Sequence, residues 1–151
     1  MEETIRFYHK QIKLPLFPVY YDVFMLNDIA LGPAVVGNKY PGVSLEGIGN
    51  TVSLTAVAED EKSNKGIVVL LTTDRHDEEP TISDSIAFEA TNLCWHILDL
   101  LDITISIENC KIHAYIIEDI SRELYTMYDE FIEKTKDHED DNTDSNDLGD
   151  I

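Results

Sequence analysis

This chain of 151 residues predicts an α+β fold, an N-terminal antiparallel or mixed β-sheet packed on two long C-terminal helices. Three observations lead there. The first half holds short aromatic and β-branched runs separated by Gly/Pro-rich or charged connections, the pattern of strands between turns. Beyond residue 80 the apolar residues recur every three and four positions instead of every two. At 43% hydrophobic content the chain can also bury one sizeable core, which suits a single domain over residues 1–136.

The first strand expected is "FPVYYDVFML" (17–26), entered through Pro18. Residues 27–50 contain five Gly and two Pro, so they read as a long irregular connection with a short helical turn. In "TVSLTAV" (51–57), Val52, Leu54 and Ala56 alternate with Ser53 and Thr55, which predicts a strand with one wet side. The polar "EDEKSNKG" (59–66) reads as a hairpin loop, and the unbroken apolar "IVVLLTT" (67–73) as a central strand.

After the charged loop 74–80, Thr81 is placed to cap a helix, with Asp84 completing a capping box. Ile82, Ile86, Ala90, Leu93, Ile97 and Leu101 form the stripe that should face the sheet. Phe88, Asn92, Trp95 and Asp99 form a second stripe, which suggests a helix buried between other elements. A break at 102–107 precedes a second helix over about 108–134, with the stripe Ile112, Ile116, Ile120, Leu124, Met127 and Phe131. From Asp137 to Ile151 the chain has seven acidic residues and no Lys or Arg, and it reads as a disordered acidic tail.

The formal net charge is -19, and taking away those seven acidic residues leaves 12 negative charges on residues 1–136. So acidic a surface repels phosphate backbones and anionic membranes. Direct nucleic-acid binding and membrane binding are therefore not expected, and a protein partner of basic character is the complementary choice. Two cysteines, Cys94 and Cys110, imply no disulfide framework. No signal-peptide pattern and no run of about 18 apolar residues appears, so a cytoplasmic location is expected.

Candidate chemistry centres on the first helix. Glu89 occupies the place of the general base in an H-E-x-x-H zinc frame, but the frame here reads Phe88-Glu89-Ala90-Thr91-Asn92. Cys94 and His96 point about 200° apart on a helix and cannot pair as nucleophile and base. His96 and His113 are the remaining histidines near the helices, and their spacing reads as structural. His9, His76 and His138 show no ligand spacing.

From the strand-rich start through "TISDSIAFEATNLCWHILDLLDI" and "ENCKIHAYIIEDISRELY", the chain resembles a family of small zincin-like metallopeptidases of phages and prophages. The likeness spans about residues 51 to 125 and rests on Ile86-Ala87, Glu89-Ala90, Trp95, Asp102-Ile103, Glu108-Asn109 and Ala114-Tyr115. It departs from the family at the metal site. Phe88 and Asn92 stand for the two histidines, and Lys111 stands for the third ligand, a glutamate. Phe88 has no lone pair, Asn92 is a weak neutral ligand, and Lys111 brings a cation where a dication would sit.

The resemblance thus implies a pseudo-metallopeptidase with no metal or cofactor, in which Glu89 is a vestigial base and the chain acts as a binding module. It also implies that Phe88 fills the vacated volume, worth about 2 kcal/mol if buried, and that Lys111 neutralises Glu89. Two alternatives stand beside it: a zinc-dependent hydrolase with non-standard ligands, and a structural protein that oligomerises through its last helix.

Overall fold

The computed structural model describes residues 7–41, 52–62 and 64–147, with side-chain surroundings through 135. Its architecture is α+β. Strands β1 (Phe7–Lys13), β2 (Tyr20–Leu26), β3 (Ser53–Glu59) and β4 (Lys65–Thr72) form one sheet in the order β1-β2-β4-β3. The central pair, β2 and β4, is parallel, and both edge strands run antiparallel to their neighbours. The sheet is therefore mixed.

β1 was not anticipated from the sequence. Its residues "FYHKQIK" hold only one buried side chain, Ile12, so no apolar alternation marks it. Lysines along an edge strand are one way to keep it from pairing with other chains. Between β2 and β3, Ile29–Leu31 form a 3-10 turn and Gly32–Gly37 a short helix, α1. The rest of that connection, 42–51, lies outside the described residues.

Helices α2 (Ile82–Leu100) and α3 (Cys110–Asp147) follow. The expected capping box is present: Asp84 N donates to Thr81 Oγ1 at 3.2 Å and Thr81 N donates to Asp84 Oδ2 at 3.3 Å. α2 ends in a Schellman motif, in which Ile103 N donates to Leu98 O and Asp102 N to Asp99 O. Asp102 takes the left-handed position with φ 56°, where glycine is usual. The chain then reverses into α3.

α3 runs on to Asp147, past the end at about 134 set by its apolar stripe and into the acidic segment 137–151. No Gly or Pro interrupts residues 102–148, and each further helical residue adds one backbone hydrogen bond to a helix already nucleated.

The sheet is covered on both faces. On one, Tyr21, Val23 and Met25 of β2 and Ile67, Val69 and Leu71 of β4 meet the buried stripes of α2 and α3. On the other, Phe24, Leu26, Val68 and Leu70 meet Ile29, Val36 and Tyr40 of the 28–41 segment. Because both central strands are buried on both faces, they read as near-continuous apolar runs, interrupted in β2 by Asp22.

One expectation about α2 is corrected. Its second stripe is not enclosed by other elements, since Phe88 is 65% and Trp95 52% exposed. The sheet and α3 together use only one side of the helix. No helix among the described residues is long and apolar enough to cross a membrane.

Candidate functional site

Glu89 lies on the sheet-facing side of α2 and is 1% exposed. Its Oε2 accepts from Thr55 Oγ1 at 2.9 Å, and its Oε1 accepts from Asn92 Nδ2 at 3.5 Å. The side chain of Ser53 also bonds to it. Ser53 and Thr55 alternate along β3 with Leu54 and Ala56, as the sequence indicates, but the polar side is half-buried rather than open to water. It faces α2, because that is the face on which Ile67, Val69 and Leu71 of the neighbouring β4 also point. The hydroxyls of the supposed wet side are there to meet a buried carboxyl.

Burial raises the Glu89 pKa above the ordinary glutamate value, and the hydrogen bonds from Thr55, Asn92 and Ser53 only partly oppose it. All three donors are neutral, so none supplies the full charge that would hold a buried carboxylate ionised.

The other positions of the frame separate from Glu89. Phe88 lies one residue away, about 100° round the helix, and points outward; the expectation that it fills the space of a lost ion is overturned by its 65% exposure. Lys111 is exposed in the first turn of α3, and the Glu89 carboxyl takes its bonds elsewhere, so the expected Glu89–Lys111 pair does not form. Of the three replaced positions only Asn92 meets Glu89, being one turn further along the same face.

This donor set does not fit a zinc ion. Among the described residues no group of three or more His, Cys, Asp or Glu side chains stands close enough to hold a metal. Cys94 is buried, and burial pushes its thiol up to about 11, which keeps it in the unreactive protonated form. Its Sγ lies 3.9 Å from the carbonyl of His113, whose ring Nε2 is enclosed without a partner among the described residues.

Beside the first turns of α2 is an open cavity of about 470 Å³, lined by Val52, Ser53, Glu78, Glu79, Pro80, Asp84, Ser85 and Phe88. Ser53 joins this cavity to Glu89, since it lines the one and bonds to the other.

A second buried carboxylate lies on the opposite face of the sheet. Asp22 is 1% exposed; its Oδ1 accepts from His9 Nε2 at 2.7 Å and Lys39 Nζ at 2.6 Å, and its Oδ2 from Tyr40 Oη at 2.6 Å. The His9 ring stacks on Phe24, its cross-strand neighbour, with centroids 4.2 Å apart. Burial alone would raise the Asp22 pKa, but the bonds from Lys39, Tyr40 and His9 and the Lys39 charge outweigh it and hold the carboxyl below its ordinary range. Tyr40 is pushed up, by burial first and by Asp22 second.

Sequence reasoning missed this cluster, and His9 in particular carried no recognisable pattern. The available signal was Asp22 itself, a carboxylate within "VYYDVFML", since buried Asp is rare unless paired.

No protein-family model, curated protein or solved structure matches this chain. Its residues and geometry must carry the functional reading alone.

Proposed function

We propose that this is a non-catalytic, zincin-like protein of the cytoplasm, related to small phage or prophage metallopeptidases, that acts by binding a protein of basic character. The surroundings of Glu89 carry the reading. The group that would serve as general base is buried, leans toward its protonated form, and is bonded to two hydroxyls and an amide. A base needs a polarised water to deprotonate, and the positions that would hold a metal to polarise it present an outward ring at Phe88 and an exposed cation at Lys111. An excess of 12 negative charges on residues 1–136 supports a basic partner.

The test is a zinc titration by calorimetry, followed by a peptidase assay on unstructured casein with and without zinc. We expect no stoichiometric zinc uptake and no cleavage. One tightly bound zinc per chain, with cleavage lost in Glu89→Gln, would establish the hydrolase instead.

A further inference from the structure

We infer that the cavity beside the first turns of α2 is the docking point for an arginine side chain projected by a basic protein segment. This rests on the binding-module reading above and gives it a location. The cavity joins two chemistries that an arginine needs. Its apolar wall is Val52, Pro80 and the outward ring of Phe88, while Glu78, Glu79 and Asp84 provide carboxylates around it. An aliphatic stem can lie on the first, with the planar guanidinium over the Phe88 ring and its N–H groups toward the second.

The charge balance favours a cation. Three carboxylates line the cavity, and no Lys or Arg does so among the described residues. Two positive contributions stand against them. Arg75 lies beneath; its Nε donates to Thr72 O and its Nη1 donates to Pro80 O and Ser85 Oγ, while its Nη2 is enclosed without a partner among the described residues. The start of α2 adds about half a positive charge. One and a half against three leaves the site negative.

Not all three carboxylates are equally free. Glu79 accepts from His76 N and Asp84 belongs to the helix cap, whereas Glu78 makes no hydrogen bond or ion pair among the described residues. Glu78 is the carboxylate with full capacity for a guest. Phe88 completes the case. It is a large ring left 65% exposed at the mouth of a cavity, on a helix whose other face is well packed.

The experiment is a titration of the labelled full chain at low salt, followed by amide NMR, with three capped hexapeptides. Each carries two Leu and two Arg, two Lys or two Glu. We expect saturable shifts centred on Ser53, Glu78, Ser85 and Phe88, stronger for arginine than for lysine and absent for glutamate. Phe88→Ala and Glu78→Gln should each weaken the arginine peptide by about three- to fivefold. Both residues are exposed, so neither change threatens folding.

Glu133→Gln makes the same charge change on α3, where the neighbouring Glu130 and Lys134 meet Tyr8 of β1, and should have little effect. Equal loss from Glu133→Gln and Glu78→Gln, with shifts spread over α3, would overturn the cavity as the site while leaving a basic partner in place. No shift with either basic peptide would overturn both.

Discussion

Asp22 and Glu89 are buried to the same degree on opposite faces of one sheet, yet their surroundings treat them in opposite ways. Asp22 has three donors, one of them the Lys39 ammonium, and its carboxyl is held ionised. Among the described residues Glu89 has only neutral donors, and burial moves it toward protonation. Burial is the same, so the donors decide the charge. The first is a clasp that fastens the segment after α1 to the sheet. The second is a polar contact between α2 and an edge strand that tolerates a neutral group.

The strongest way to break the contrast is to remove the clasp. Asp22→Ala should cost about 2–3 kcal/mol in urea denaturation, because Tyr40, Lys39 and His9 all lose their shared acceptor. The cost falls short of a fully enclosed pair because the His9 and Lys39 side chains keep 31% and 36% of their exposure. Loss below about 0.5 kcal/mol would mean that the clasp carries no stability.

A subtler attack comes from Gly66. A β-carbon there would run into Tyr40 Oη, the atom that donates to Asp22. Gly66→Ala should therefore cost about 1–2 kcal/mol, and much less in a Tyr40→Phe background. An equal cost in both backgrounds would place the problem in the strand rather than in the clasp.

Glu89→Gln should do the reverse and stabilise the protein at pH 7, on the order of 1 kcal/mol, because a neutral amide replaces a group that burial penalises when charged. The pH dependence separates the two sites. The folded Glu89 pKa is raised, so its stability is fully present below the ordinary 4.5 and is lost as pH rises through the folded value. The folded Asp22 pKa is lowered, so its contribution is present above the ordinary 3.8 and is lost as pH falls through the folded value. The advantage of Glu89→Gln should hence shrink as pH falls from the raised folded value toward 4.5 and be gone below it, whereas the penalty of Asp22→Ala should shrink only below 3.8. Melting curves from pH 3 to pH 8 would show both.

The smallest effect is expected from Thr55→Val, about 1 kcal/mol in the native background and less when combined with Glu89→Gln. An equal penalty in both backgrounds would show that the hydroxyl does not serve the carboxyl.

Most of the helical half is legible in the residues. The buried faces of α2 and α3 follow the stripes through Ile86, Ala90, Leu93 and Ile97 and through Ile116, Ile120, Leu124 and Met127. The Thr81–Asp84 box marks where α2 begins. β1 is not legible, because an edge strand buries too little to leave an apolar alternation. Nor is the site. The zinc frame draws attention to Phe88, Glu89 and Lys111 together, and only Glu89 turns inward.

What the residues alone determined is periodic: where strands give way to helices, which stripe of each helix is apolar, and how acidic the molecule is. Those properties follow from local spacing and composition. Only the tertiary structure decided that Ser53 and Thr55 face a carboxyl rather than water, and that His9, Lys39 and Tyr40 converge on Asp22. Alternation along a strand says that two faces differ. Strand order and helix placement settle which face is covered, and by what.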